Sequence, residues 1–149
     1  MEKSQCYNSD MRKLTFIGLM VLLTCAGGPG PKDVVFEFID AVKNSDSLRV
    51  IQLLDLDAYV KNLMPEMSPE DSAKALTEYG DRTIQSLLGD GDARRRWMRM
   101  LIVVNKETIS NDSAEVEVSF IDQQAGHQLY TRMRLQRQPD GAWKITYFR

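Results

Sequence analysis

Apolar and polar positions alternate most clearly in the second half of the chain. Four runs carry the pattern: Trp97–Ile109, Ala114–Ile121, Gln128–Gln136 and Ala142–Phe148. Turn-forming residues separate them, first Ser110-Asn111-Asp112, then Asp122–Gly126, then Pro139-Asp140-Gly141. Connections this short join only antiparallel neighbours, so the pattern predicts a four-stranded meander. A second turn centred near Gln124-Ala125 sets Val116 opposite Met133, Val118 opposite Thr131 and Phe120 opposite Leu129. On the other face it sets Glu115 against Arg134 and Glu117 against Arg132. Apolar thus meets apolar and acid meets base, the pairing that favours one register over a one-residue slip. One face should be core and the other wet. The first run is apolar through its middle, which suggests a strand covered on both faces or central in the sheet. Its core face is either Met98, Met100, Ile102 and Val104 or Trp97, Leu101 and Val103.

The first half of the chain has a helical period instead. From Pro31 to about Lys43, Val35, Phe38, Ile39 and Val42 make a single stripe, with proline suited to the first helical position. Asn44–Ser47 breaks that helix, and a short amphipathic segment, Leu48–Leu54, buries Val50 or Ile51 with Leu54. Asp57 is a plausible N-cap for another short helix through Leu63, which Pro65 ends. Ser68-Pro69-Glu70-Asp71 is a strong helix start. From there Ala73, Leu76, Gly80, Ile84 and Leu87 follow one face to about Leu88. A glycine inside a helix costs up to about 1 kcal/mol relative to alanine, so Gly80 points to a close crossing or a shallow wall. Helices first and a curved antiparallel sheet after them predict an α+β domain in which the sheet wraps the helices.

The remaining N-terminal segment has the character of an address. Arg12-Lys13, the apolar run Leu14–Leu23 and the small residues after it form a secretory signal, too short to span a bilayer. Met11 stands directly before the basic pair and reads as the initiator, with residues 1–10 a polar extension. Leu22-Leu23-Thr24-Cys25 resembles the lipobox of bacterial lipoproteins, in which the cysteine is acylated and becomes the first mature residue. Thr24 departs from the small residue preferred there. Ordinary cleavage nearby, for instance after Ala26, and a retained anchor are the alternatives. With Ala26 rather than aspartate after the cysteine, the resemblance implies the outer membrane in a diderm cell. The expected organisation is therefore a signal peptide over 1–24, a flexible Gly/Pro tether over 25–31 and one domain over 32–149.

Composition narrows the classes. The 149 residues are 43% hydrophobic and 27% charged, ordinary for a globular domain. Net charge is −2, and residues 1–24 carry +1 of it, which leaves −3 and no basic surface for nucleic acid or anionic lipid. The two cysteines, Cys6 and Cys25, both precede the domain, so neither a disulfide framework nor a cysteine-rich metal site is expected within it.

Two segments carry a family resemblance. "VVFEFIDAVKNSDSLRVIQLLDLD" resembles the opening helices of nuclear-transport-factor-2-like (NTF2-like, cystatin-like) domains, and "DGAWKITYFR" resembles their last strand, especially in small lipoproteins of unknown function. The resemblance spans about residues 32–149. It implies a cone-shaped fold with a pocket between sheet and long helix, and sheet faces that commonly form homodimers. Tyr59, Tyr79, Trp97, Met100 and Tyr130 are the candidate lining residues of the cone mouth. Enzymes of this fold, including isomerases and dehydratases, place Asp, His or Tyr in the cone. Here a base would have to be Asp55 or Asp57, with Tyr59, Tyr79 or Tyr130 as donor, whereas a helix cap already explains Asp57. The sole histidine, His127, falls in or beside a hairpin turn, where a solvated role suffices. Arg94-Arg95-Arg96 with Arg99 is the one local basic cluster, and it lacks the interleaved aromatics of a nucleic-acid surface. Met64, Met67, Met98, Met100 and Met133 read as core filler or as an adaptable pocket lining. No phosphate loop, nucleophile motif or metal-ligand spacing is present, and no cofactor is implied. The expected role is binding of a small apolar molecule or an envelope protein, with the membrane reached through the lipid on Cys25. A small isomerase- or dehydratase-type enzyme is the alternative, and a purely structural partner domain is a third reading.

Overall fold

The computed structural model describes residues 28–66 and 68–149. The signal segment, Cys25 and the first part of the tether lie outside the described residues, as does Met67. Five helices precede four strands among the described residues. They are α1 (Pro31–Asn44), α2 (Ser47–Leu53), α3 (Leu56–Leu63), α4 (Pro69–Leu87) and α5 (Asp92–Arg99). The strands are β1 (Leu101–Ser110), β2 (Ser113–Asp122), β3 (His127–Arg137) and β4 (Trp143–Tyr147). They form one curved antiparallel sheet in chain order, β1-β2-β3-β4.

The central register is the one the turns dictate. Val116 faces Met133, Val118 faces Thr131 and Phe120 faces Leu129, while Glu115 faces Arg134 and Glu117 faces Arg132. Asp122 anchors the β2–β3 turn by accepting from the Gln124 and Ala125 N–H groups, both at 3.0 Å, and Gly126 takes the left-handed position with φ +68°. Gly141 does the same at the last hairpin, with φ +87°. The inner face is buried at Ala114, Val116, Val118, Met133, Leu135 and Ile145. The outer face carries the ladder in which Arg134 meets Glu115 at 3.3 Å and Arg132 meets Glu117 at 3.6 Å.

The first strand differs from the sequence expectation twice. Residues 97–100 are not strand: Trp97 is buried from the end of α5, and β1 begins at Leu101. Gly91 and Asp92 open that helix, and Ala93, Arg96, Trp97 and Met100 share its apolar face at i, i+3, i+4 and i+7 spacing. Strand β1 is also an edge, neither central nor covered on both sides. Ile102 and Val104 point inward, and Leu101 and Val103 are 48% and 37% exposed outside. A bulge between Val104 and Glu107 interrupts its pairing with β2, which breaks the regular edge another chain could add to.

The core is α1 laid against the inner sheet face. Val35, Phe38 and Val42 are fully buried along the expected stripe. Ser45 ends α1 in the left-handed conformation, φ 57°. Arg94 then closes its last turn: Nε donates to the carbonyls of Val42 at 3.1 Å and Lys43 at 3.0 Å, and Nη1 donates to Gly89 at 2.8 Å. A cation at the negative end of a helix, bonded to its last carbonyls, stabilises that end. Asp55, not Asp57, caps α3, accepting from Ala58 N–H at 3.0 Å. The Asp55 N–H also donates to the Ile145 carbonyl at 2.8 Å, which fixes α3 to β4. A Cβ on Gly80 would stand 3.0 Å from Leu56 Cδ2, so the glycine marks a close crossing of α4 over α3.

Two neighbouring arginines should therefore differ in weight. Arg94→Gln is expected to destabilise the domain by about 1–3 kcal/mol, because several half-buried carbonyls lose a charged donor. Arg95 pairs only with exposed Asp92 one turn away, and Arg95→Gln should cost below about 0.5 kcal/mol. Chemical denaturation of the two variants measures both.

Candidate binding cavity

At one end of the inner face, α3, α5 and the sheet line a cavity of about 260 Å³ that opens to solvent. Tyr59 and Leu63 come from α3, Ala93, Arg96 and Trp97 from α5, and Met100 from the link to β1. The sheet supplies Phe120, Leu129, Tyr130, Thr131 and Met133, and Phe148 and Arg149 follow β4. The aromatic residues are mutually packed. The Trp97 ring centre lies 5.3 Å from Phe120 and 6.2 Å from Phe148, and Tyr59 lies 4.9 Å from Phe148. Polar groups are few: the Tyr59 and Tyr130 phenols, the Thr131 hydroxyl donating to the Arg149 main-chain oxygen at 2.6 Å, and the guanidinium groups of Arg96 and Arg149.

Four of the five candidate lining residues, Tyr59, Trp97, Met100 and Tyr130, come together here, and Tyr79 does not. Tyr79 sits half-buried on α4, with the Arg82 guanidinium 5.7 Å from its ring centre. Helix α4 packs on α3 and α5 and not over the sheet, so the cavity lies between the sheet and the short helices. That differs from a pocket under the long helix. Leu63, Ala93, Arg96, Phe120, Leu129 and Phe148 were not singled out as lining residues, while Met133 was read with the other methionines as core filler or pocket lining. The β2–β3 register carried the signal for three of them, since it puts Phe120, Leu129 and Met133 on the core face. Of the other methionines, Met64 packs at the core margin and Met98 is exposed.

Neither Asp55 nor Asp57 lines the cavity, and the Asp55 carboxylate is engaged as a helix cap. His127 begins β3, exposed, opposite Asp122. The Asp122 carboxyl is held below its usual range, chiefly by the two turn N–H groups it accepts from. A larger groove, about 470 Å³, runs at the other end of the sheet between Asn62, Thr108, Ser113, Glu115, Arg134 and Thr146. Its lining belongs largely to the polar outer face. Among the described residues no cluster of acidic, His or Cys side chains could hold a metal ion.

Helices that lead into a curved four-stranded meander and fill its inner face, with a cavity left at one end, settle the architecture. The fold is NTF2-like. Three solved structures resemble this NTF2-like chain at low identity. A candidate NTF2-like transpeptidase from Campylobacter jejuni is 18% identical, with 78% of this chain and 97% of that one covered and a TM-score of 0.43. A candidate ketosteroid isomerase from Shewanella frigidimarina is 22% identical, covering 77% and 89%, with a TM-score of 0.48. A phospholipid-binding protein from Ralstonia solanacearum, solved with a phospholipid, is 15% identical, covering 76% and 72%, with a TM-score of 0.45. No family model and no curated protein matches the chain.

Burial raises the Tyr59 phenol above its ordinary value and the adjacent Tyr147 raises it further, while the Thr83 side chain offsets part of this. A neutral phenol is thus favoured in the fold, so its contribution to stability is complete below about pH 10 and falls away as pH rises through the folded value. Alkaline denaturation should show less loss of stability above about pH 10 for Tyr59→Phe than for the wild type. Identical alkaline limbs would contradict the assignment.

Proposed function

We propose that this chain is an exported, lipid-anchored binding module of a bacterial cell envelope that holds a small apolar molecule in the cavity between α3, α5 and the sheet. The cavity carries the reading: about 260 Å³ walled by Tyr59, Trp97, Met100, Phe120, Met133 and Phe148. Apolar walls with few polar groups are the common form of a small-molecule site. Catalysis would need a base at the ligand, and the two candidate aspartates stand outside the lining. The location is supported by sequence: Arg12-Lys13, the apolar run Leu14–Leu23, and the lipobox-like Leu22-Leu23-Thr24-Cys25.

Two experiments test the two parts. Titration with N-phenyl-1-naphthylamine, a neutral apolar dye, should give saturable one-to-one binding with quenching of Trp97. Ala93→Phe, which puts a ring into the cavity, should weaken it at least about tenfold, as expected when roughly 1.4 kcal/mol of contact is lost. Dye uptake that does not saturate, or that ignores the substitution, argues against a cavity site. For the anchor, the mature wild type should show the mass of an acylated Cys25 and partition with membranes. Both properties should vanish in Cys25→Ala; a soluble chain starting beyond Cys25 would remove the anchor.

A further inference from the structure

The arginine cluster after Gly91 is divided among different tasks. Arg94 is committed to the carbonyls of Val42, Lys43 and Gly89. Arg95 pairs with Asp92, and Arg99 lies close enough to Asp122 to help hold its carboxyl ionised. Arg96 alone of the four lines the cavity, and no hydrogen bond or ion pair engages its guanidinium among the described residues. It also breaks a pattern. Ala93, Trp97 and Met100 form the apolar stripe of α5 that faces the cavity, and Arg96 stands in that stripe. An exposed arginine there can lay its stem along the aromatic wall and keep its head in solvent at the mouth. The same placement leaves a bidentate cation at the exit of an apolar chamber that no Asp or Glu side chain lines, with the Arg149 guanidinium as a second cation in the lining.

We infer that the cavity selects a single-chain anionic amphiphile, with its acyl chain among Trp97, Phe120 and Phe148 and its head group at Arg96. The inference rests on the cavity being a binding site, and it adds the ligand's class. Volume limits the chain. A methylene fills about as much space as a liquid water, roughly 30 Å³. A cavity of about 260 Å³ is of a size for one alkyl chain of medium length.

Competition against the naphthylamine dye, at a pH of about 8 where a fatty acid is ionised, tests this with chain-matched probes. Decanoate should bind about three- to fivefold tighter than decanol, the upper range for an exposed ion pair, and decyltrimethylammonium should bind more weakly than decanol. Arg96→Gln should bring decanoate to within about twofold of decanol without changing decanol, and Arg96→Lys should keep most of the preference. Added salt should narrow the gap in the wild type alone. Equal wild-type affinity for decanoate and decanol, or a preference untouched in Arg96→Gln, overturns the inference and leaves an apolar site standing. If decanol also fails to displace the dye, the cavity reading falls with it. Decyl phosphate set against decanoate separates the two sources of such a head group: a lipid phosphate if the phosphate binds tighter, a free fatty acid if the carboxylate does.

Discussion

The Phe148 ring centre lies 5.5 Å from Phe38, 4.9 Å from Tyr59 and 6.2 Å from Trp97, so one side chain after the last strand touches three helices. Each such aromatic contact is worth about 0.5–1.5 kcal/mol beyond the area it buries. More important than the sum is what the contacts join. The four strands pair only with their chain neighbours, and the helices pack both on one another and on the sheet, with α1 across its inner face and α3 against β4. Phe148, with the Asp55 N–H bonded to Ile145, ties α3 and α5 to the core that α1 and the sheet form. The cavity is the space beside this junction that the rings leave unfilled.

Most of the sheet was legible because its determinants are local. Glu115 and Glu117 face Arg134 and Arg132 because the turn at Asp122–Gly126 permits one register, and a slip would put charges into the core. The start of β1 was not legible, since Trp97–Ile109 satisfies two periods at once. Its alternation reads as strand, yet Ala93, Arg96, Trp97 and Met100 also fall at helical spacing. Gly91-Asp92 as a helix start resolves the ambiguity, and Arg94 makes the helical choice worthwhile by reaching the end of α1.

The site was partly legible for a related reason. Tyr59, Trp97, Met100 and Tyr130 converge because strand register and helix packing bring those segments to one end of the sheet. Tyr79 was misplaced because its position depends on which face of α4 meets α3. That choice follows from Gly80 admitting Leu56, a contact visible only in three dimensions. The cap of α3 shows the same limit: Asp55 and Asp57 are chemically equivalent candidates, and the bond from the Asp55 N–H to Ile145 decides between them. Phe148 carries no signal of its own beyond the end of a strand.

The junction at Phe148 also couples occupancy to folding. The cavity has a sheet wall only once β2 and β3 have paired, and a helical wall only once α3 has docked on β4, so the unfolded chain offers an occupant nothing comparable. An occupant at a hundred times its dissociation constant would add about 2.7 kcal/mol to a stability typically of about 5–15 kcal/mol. If the cavity binds as proposed, then wherever the occupant is scarce the domain would open more often and be degraded sooner, and its abundance would follow that supply.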